Sequence, residues 1–346
     1  PTKIVFPRLT TLPKQAAIWT ATFLITAEKR RIPKILRKNN QVAKSSRNKT
    51  LTLTKSETQG FLSRCVSCAY LKETGDFCNK TVWGDSFDAA AVLPDGCADL
   101  LIADPPYNMT KTFGNREFSR MSESDYRAFT EKWVKAYLHT LKKTASVYVC
   151  CDWESGIVIA PVLQKYFTVR NRITWQREKG RGARTNWKNG MEDIWFCTVS
   201  DDYVFNLGAV RQRRKVVAPY TEDGKPKDWF VLDGVKYRDT CPSNFWDDIT
   251  VPYWSMRENT PHPTQKPEKL LAKLILASSN EGDLVLDPFG GSGSTAVTAK
   301  KLKRNYLSVE KEEEYCALTE CRLLRAQSDA SVQGMEDGIF YARGLK

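Results

Sequence analysis

The stretch "DLVLDPFGGSGSTAVTAKKL" (283–302) decides the fold class. Its apolar part, 284–287, predicts a buried β-strand, and the glycine-rich turn that follows leads directly into a helix. A strand, a glycine turn and a helix in this order bring a nucleotide-like ligand against the helix N-terminus. The next strand, "YLSVE" (306–310), ends in Glu310, an acid placed to accept from ribose hydroxyls. We therefore predict an α/β fold with a nucleotide-type site.

The glycine-rich unit comes late in the chain. Gly291-x-Gly293-x-x-Ala296 also matches the dinucleotide fingerprint, so a dinucleotide oxidoreductase is one alternative. After Glu310 only one helix, 312–327, and a tail remain, so the sheet must be completed by earlier residues, and this argues against that alternative. Apolar and amphipathic patterns predict the earlier strands at 97–104, 146–153, 169–176 and 193–199, with helices at 122–143, 155–166 and 267–279.

A second informative stretch, "LIADPPYN" (101–108), follows the first of these strands. Two prolines fix φ and remove two N–H donors, so the corner is stiff and its carbonyls can only accept hydrogen bonds. Because this corner and the glycine-rich turn both follow strand C-termini, we expect them to face one crevice.

Positive charge is concentrated in a few segments. The net charge is +13, and residues 1–55 contain thirteen Lys and Arg but one acid, Glu28. A second basic segment, 170–190, interleaves seven cations with Trp175 and Trp187, and "RQRRK" (211–215) follows. This pattern favours phosphate neutralisation and base stacking, that is, binding of nucleic acid, over a merely solvated charged surface.

Other bulk features exclude several classes. No run approaches the roughly 20 apolar residues of a membrane span, and no secretory signal fits the N-terminal residues, so a cytoplasmic protein is expected. Ten scattered cysteines suggest reduced thiols. Cys65, Cys68 and Cys78 have part of a zinc-site spacing, but a fourth ligand is lacking and His139 and His262 are distant, so no metal is predicted.

Three motifs in order, "DPPYN" (104–108), "HPTQKP" (262–267) and "DPFGGSGST" (287–295), resemble the beta group of amino methyltransferases that act on DNA. These enzymes serve restriction–modification or orphan methylation in bacteria and phages, and the resemblance covers about 80–325. It implies a doubly wound mixed sheet, the Rossmann-like methyltransferase fold, with the cofactor-binding half C-terminal to the catalytic half. It also implies S-adenosylmethionine as cofactor, double-stranded DNA as partner, and often a homodimer.

The chain divides accordingly into six predicted segments. They are a basic arm (1–60), a cysteine-containing connector (61–80), the catalytic half (81–205), an inserted target-recognition region of loops or a small lobe (206–260), the cofactor-binding half (261–327) and a tail (328–346). We expect the arm to add non-specific DNA affinity.

The resemblance and the chemistry of an exocyclic amine assign the catalytic residues. The amine lone pair is delocalised into the ring, so Asp104 and the carbonyl of Pro105 are expected to accept its two hydrogens and direct the lone pair at the sulfonium methyl. Pro106 keeps the acceptors rigid. The base must be flipped out of the duplex, and Tyr107 offers it an aromatic face.

Cofactor and DNA contacts carry over from the resemblance and from the basic segments. The expected cofactor-binding residues are Asp85, His262, Thr264, Lys266, Asp287, Phe289, Gly291, Gly293 and Glu310, with the methionine carboxylate near His262, Thr264 and Lys266. The expected DNA-binding residues are Arg177, Lys179, Arg181, Arg184, Lys188, Arg211, Arg213 and Arg214.

The leading acid Asp104 favours N6 of adenine as the target, because a leading serine is commoner in the family for N4 of cytosine. The N4-cytosine enzyme is the first alternative. A non-catalytic DNA-binding subunit, or a methyltransferase acting on RNA or on a protein amide, is a more distant one.

Overall fold

The computed structural model describes residues 45–114, 116–177, 185–343 and 345. Residues Ser46–Lys346 form one compact unit, which contains all the features that follow. Residues 1–44 of the predicted basic arm lie outside the described residues. No helix in the described ranges combines the length and apolarity that a bilayer crossing requires.

The elements alternate between strands and helices along the chain. The helices are α1 Lys55–Leu62, α2 Cys68–Thr74, α3 Ser86–Ala90, α4 Glu123–Leu138, α5 Trp153–Tyr166, α6 Glu268–Ser278, α7 Ser294–Lys301 and α8 Glu313–Arg325, with a 3-10 turn at Leu207–Val210. The strands are β1 Lys80–Trp83, β2 Ala98–Ala103, β3 Lys111–Phe113, β4 Arg116–Phe118, β5 Leu141–Cys151, β6 Thr168–Gln176, β7 Met191–Thr198, β8 Gln212–Lys215, β9 Thr221–Glu222, β10 Lys225–Pro226, β11 Phe230–Leu232, β12 Val235–Thr240, β13 Phe245–Trp246, β14 Leu284–Asp287, β15 Asn305–Glu310, β16 Met335–Glu336 and β17 Ile339–Tyr341.

The main sheet has the order β1-β15-β14-β2-β5-β7-β6-β13. β7 runs antiparallel to both of its neighbours, β5 and β6, and the remaining neighbours pair in parallel. Adjacent strand residues alternate between the two faces, so Leu101 packs into one core cluster and Leu100 into the other. The predicted α/β class with a mixed sheet is confirmed.

The crevice lies where the connections diverge. β2 and β14 are neighbours, but the chain leaves β2 through α4 for β5 on one side and leaves β14 through α7 for β15 on the other. Such a switch point opens a cleft outside the strand C-termini, between loops that depart to opposite sides. The corner after β2 and the glycine-rich turn after β14 therefore face each other, as expected.

A second sheet forms a small lobe with the order β11-β12-β8-β17-β16. Three of its strands come from the predicted recognition region and two from the tail, since Phe340 pairs with Gln212 and Tyr341 with Arg213. β13, which also comes from the recognition region, belongs to the main sheet and pairs with β6 at its edge. The strands of the lobe are two to six residues long, and the two central ones, β8 and β12, are mostly polar, so they lack the apolar alternation that would have predicted them.

Residues just after Ser45 belong to the main compact unit. The N–H of Lys49 donates to the carbonyl of Trp254 (2.7 Å), and that of Leu51 to the carbonyl of Asn259 (2.9 Å). The side chain of Leu51 is buried in a cluster that includes Leu318 of α8. A capping box between Thr54 and Glu57 then begins α1.

Helix α6 buries charged residues together with apolar ones, and one of its ion pairs gives a testable prediction. Lys269 and Lys273 each place Nζ 2.8 Å from a carboxylate oxygen of Asp248, and all three side chains are buried. Burial lowers the pKa of Lys273 to about 8. We expect Asp248→Asn to lower the free energy of unfolding by about 2 kcal/mol in urea, because two buried ammonium groups lose their counter-charge.

The control for this variant is Asp247→Asn, since Asp247 is the exposed neighbour. It should stay within about 0.5 kcal/mol of the unsubstituted chain, as surface substitutions usually do. Equal urea midpoints for the two variants would contradict the assignment of Asp248 as a stabilising counter-ion.

Candidate active site

A cavity of about 370 Å³ opens at the C-terminal edge of β1, β2, β14 and β15. This volume lies within the range of small-molecule sites. Ten of the residues singled out from the sequence line it: Asp85, Asp104, Pro105, Pro106, Tyr107, His262, Thr264, Phe289, Gly291 and Glu310. A smaller pocket shares Asp104, His262, Thr264, Phe289 and Gly291 with the cavity and adds Lys266 and Asp287.

The Asp-Pro-Pro-Tyr corner directly follows β2. Tyr107 donates its hydroxyl to Asp104 Oδ1 (2.9 Å), and Tyr126 of α4 donates its own to the carbonyl of Pro106 (2.9 Å). The carbonyl of Pro106 therefore anchors the corner to α4. The carbonyl of Pro105 is left as the acceptor that acts beside Asp104. Burial raises the pKa of the Tyr107 phenol well above its usual value, so it stays protonated.

Lys266, which the resemblance places near the methionine carboxylate, pairs with the catalytic corner in the structure. Its Nζ is 2.6 Å from Asp104 Oδ2, 3.0 Å from the Tyr107 hydroxyl and 3.4 Å from Glu192 Oε2. Glu192, on β7, was not singled out from the sequence. An acid at the start of an otherwise buried strand, "MEDIWFCT", is the signal that could have identified it.

The glycine-rich turn brings its backbone close to His262 and to Thr319 of α8. Gly291 has φ +52°, and a Cβ there would lie 2.9 Å from His262 Nε2. Its N–H donates to Glu310 Oε2 (2.8 Å). Gly293, the residue before α7, lines neither pocket; a Cβ there would lie 2.3 Å from Thr319 Cγ2, so this glycine serves packing against α8.

Three acids surround the turn. Asp287 Oδ1 accepts from the N–H of Phe289 (2.9 Å), and burial raises the pKa of Asp287 to about 7. Glu310 Oε1 accepts from two backbone N–H groups, and burial raises the pKa of Glu310. Asp85 caps α3 through the N–H of Phe87 and accepts from Lys311 Nζ (2.8 Å).

His262 packs edge-on against the ring of Tyr315, with 4.5 Å between centroids. Burial lowers the pKa of His262 to about 4, so the imidazole is neutral at pH 7. Its Nδ1 accepts from the N–H of Thr264 (3.4 Å), which ties the two residues together at the wall of the cavity.

The predicted DNA-binding cations have different surroundings. Lys188 and Arg211 are exposed, whereas Arg177 is ion-paired with Glu192. Arg213 forms a two-pronged pair with Asp239 (2.8 and 2.7 Å), and Arg214 donates to Gln212 Oε1. Lys179, Arg181 and Arg184 lie outside the described residues.

The two tryptophans of the basic segment also differ. Trp175 is buried and donates its indole N–H to the carbonyl of Ile249 (2.9 Å), so the prediction that it stacks on bases is wrong. Trp187 is 92% exposed and remains available for stacking. A count of cations and aromatics cannot separate residues that have internal partners from residues that face solvent.

The cysteines show no metal arrangement within the described ranges. Cys65, Cys68 and Cys78 are free thiols, the first two half-buried and the third exposed. No group of three or more His, Cys, Asp or Glu side chains in that part of the chain is placed to hold a metal ion.

Comparison with known proteins gives the family. The DNA methylase family matches residues 98–320. The type II methyltransferase M.HpaI of Haemophilus parainfluenzae is 30% identical over 249 residues, covering 70% of this chain and 74% of that relative. The DNA adenine methyltransferase YhdJ of Escherichia coli is 32% identical over 249 residues, covering 70% and 81%.

Among solved structures, the cytosine-N4-specific PvuII DNA methyltransferase covers 72% of this chain and 90% of its own, with a TM-score of 0.53 and 16% identity. This likeness supports the fold alone. The family match spans the Asp-Pro-Pro-Tyr corner, the HPTQKP segment and the glycine-rich turn, the motifs that surround the cavity. The chain therefore belongs to the DNA methylase family.

Proposed function

We propose that this enzyme transfers a methyl group from S-adenosylmethionine to the exocyclic N6 of an adenine flipped out of double-stranded DNA. The observation that carries the proposal is that Asp104, the residue with the amine-accepting role, lines the same cavity as the glycine-rich turn and Glu310. The relatives named as DNA methyltransferases, one of them an adenine methyltransferase, support the same reaction.

The residues of the cavity fit S-adenosylmethionine. Gly291 allows the backbone to approach a ligand closely, and the carboxylates of Asp287 and Glu310 suit an ammonium group and ribose hydroxyls. Asp85 and Phe289 line the same cavity. Asp85 would accept from the amino group of the cofactor's adenine, and Phe289 would give an apolar contact. His262 and Thr264 would meet the methionine carboxylate as hydrogen-bonding neutral groups. When bound, the cofactor supplies a methyl group on a sulfonium.

The catalytic corner acts by accepting the amine hydrogens and orienting the lone pair of the target nitrogen. Asp104 and the carbonyl of Pro105 accept the two amine hydrogens, which localises the lone pair on nitrogen for attack on the methyl carbon. When nitrogen takes the methyl group that the bound cofactor would supply, leaving its sulfur as a neutral thioether, Asp104 or water would accept the extra proton from nitrogen. The ring of Tyr107 faces the flipped base, and its hydroxyl, fixed by Asp104, keeps that ring in place.

The DNA-facing surface is the same edge of the sheet. Residues 185–190 lead into β7 at this edge, and Trp187 and Lys188 among them are exposed for stacking and phosphate contact. Arg211 adds an exposed cation beside the small lobe, and we assign this lobe to target recognition. We expect the reaction to take place in the cytoplasm of a bacterial or phage-infected cell. Pairing into a homodimer is a further prediction, which light scattering checks.

The test is direct product analysis. The protein is incubated with S-adenosylmethionine and unmethylated bacterial DNA, the DNA is digested to nucleosides, and methylated bases are quantified by mass spectrometry. N6-methyladenine is the expected product. N4-methylcytosine would change the target base, and the absence of any methylated base from folded, cofactor-binding protein would overturn the proposal.

The pH dependence of cofactor binding follows from Asp287. Its pKa is raised to about 7 by burial and, less strongly, by the neighbouring acids Asp104 and Glu310. A protonated Asp287 cannot pair with the cofactor ammonium. We therefore expect affinity for S-adenosylmethionine, measured by calorimetry, to rise as the pH increases through about 7 and to be roughly tenfold weaker at pH 6 than at pH 8. His262, with a pKa of about 4, does not titrate in this range.

The matched variant is Asp287→Asn, whose amide oxygen still accepts from the N–H of Phe289. Its affinity should be low and nearly constant between pH 6 and 8. A pH dependence that persists unchanged in this variant would assign the titration to another group.

A further inference from the structure

Glu192 contacts the catalytic corner although it belongs to none of the three motifs. Its Oε2 is 3.2 Å from the Tyr107 hydroxyl and 3.4 Å from Lys266 Nζ, and its Oε1 pairs with Arg177. The side chain of Glu192 is 5% exposed. Both carboxylate oxygens are engaged, so this charge is held in a fixed place beside the site.

Lys266 links the two carboxylates. Its ammonium bonds Asp104 at 2.6 Å and reaches Glu192 at 3.4 Å, and its side chain is only 7% exposed. In this arrangement Asp104 has one oxygen bonded to Lys266 and the other to Tyr107. Each oxygen of Asp104 still has a second lone pair for a hydrogen of the target amine, but turning the carboxylate toward that amine would lengthen its bond to Lys266.

A buried ammonium that loses its anion is costly unless another anion replaces it. Among the described residues, Glu192 is the second carboxylate within ion-pairing distance of Lys266. A movement of less than 1 Å would bring Nζ from 3.4 Å into ordinary hydrogen-bonding distance of Glu192 Oε2. The exchange would leave the total charge of the site unchanged.

We infer that Glu192 is a positioning residue for methyl transfer, taking over Lys266 when Asp104 turns to the amine of the target base. The inference rests on the proposed function and adds a residue that acts through Lys266 and Tyr107, not on the cofactor. Arg177, at the end of β6 on the DNA-facing edge, holds the other oxygen of Glu192 and keeps it oriented toward Lys266.

The test compares Glu192→Gln with Glu192→Asp in the full chain, using unmethylated duplex DNA and S-adenosylmethionine. Glu192→Gln keeps the shape but removes the charge, so Lys266 stays on Asp104 and kcat should fall about 100-fold. The KM for S-adenosylmethionine should change less than about twofold, since Glu192 does not line the cavity. Glu192→Asp keeps the charge and should retain kcat within about tenfold of the unsubstituted enzyme.

A double-variant cycle separates this role from a purely structural one. In a Lys266→Met background Asp104 loses its ion-pair partner Lys266, so adding Glu192→Gln should cost less than about threefold in kcat. A loss as large as in the unsubstituted background would overturn the inference, as would Glu192→Gln with normal kcat or Glu192→Asp as impaired as Glu192→Gln. If the unsubstituted chain forms no methylated base, the proposed function falls and this inference falls with it; an active unsubstituted chain with a normal Glu192→Gln removes the inference alone.

Discussion

Asp104→Ala is expected to lower kcat for methyl transfer by at least about 10³-fold. The variant removes the carboxylate that accepts an amine hydrogen, and an acceptor aimed at the reacting group in a water-poor site contributes on this scale. The protein should still fold, because Lys266 keeps Glu192 as a counter-ion within 3.4 Å. Single-turnover methylation at saturating S-adenosylmethionine measures the chemical step, and calorimetry measures cofactor affinity, which should change less than about threefold.

Two further variants define this result. Asp95→Ala, at an exposed acid shortly before β2, should leave kcat unchanged. Asp104→Asn should be intermediate, because the amide oxygen can accept one hydrogen while the amide N–H₂ cannot. Measurable activity of Asp104→Ala above one tenth of the unsubstituted rate would remove Asp104 from the catalytic role.

The parts of the site that the sequence predicted are those with local signals. The strand before Asp104 and the strand before Asp287 are continuous apolar runs, and each ends at a proline or glycine turn that can be identified without tertiary information. Their proximity then follows from the rule that ligands sit at strand C-termini beside a switch point. The order of the halves, with the glycine-rich unit last, was also predictable, because too few residues follow Glu310 to build the remaining sheet.

The parts that the sequence did not predict depend on contacts between distant residues. Lys266 and Asp104 are 162 positions apart, and nothing local to either indicates that they pair. The same applies to Arg213, a member of a basic run that turns out to be neutralised by Asp239 on the adjacent strand. Charge patterns give the composition of a surface, whereas the partner of each charge is set by the fold.

A small lobe was one of the two predicted forms of 206–260, but its strands and the contribution of the tail were not predicted, for a related reason. Its strands are short, and two of them come from the C-terminal tail, where Phe340 of β17 pairs with Gln212 of β8, 128 positions earlier. Strand signals in sequence depend on alternating apolar residues, and β8 and β12 consist mostly of polar ones. The tail is positioned by its pairing with β8 at Gln212, which is fully buried. This contact forms only on folding, so no local sequence pattern indicates it.

Gly291→Ala is expected to weaken the binding of S-adenosylmethionine about 100-fold. Gly291 has φ +52°, where an L-residue is strained by about 1–2 kcal/mol, and a Cβ would lie 2.9 Å from His262 Nε2 and 3.1 Å from His262 Cε1. Either His262 or the turn must shift. Because the N–H of Gly291 also holds Glu310, a shift of the turn displaces two of the proposed cofactor contacts at once. Misplacement of about 1 Å in such a site costs on the order of 10² in affinity or rate.

The matched control is Gly96→Ala, which has nearly the same φ, +59°, but no atom within 4 Å of its added Cβ. It should lower the free energy of unfolding by about 1 kcal/mol from backbone strain and leave cofactor affinity unchanged. The difference between the two variants isolates the contact with His262 from the strain common to both. If Gly291→Ala binds S-adenosylmethionine as tightly as Gly96→Ala does, the turn tolerates a side chain, and the close approach of its backbone cannot be what shapes the cofactor site.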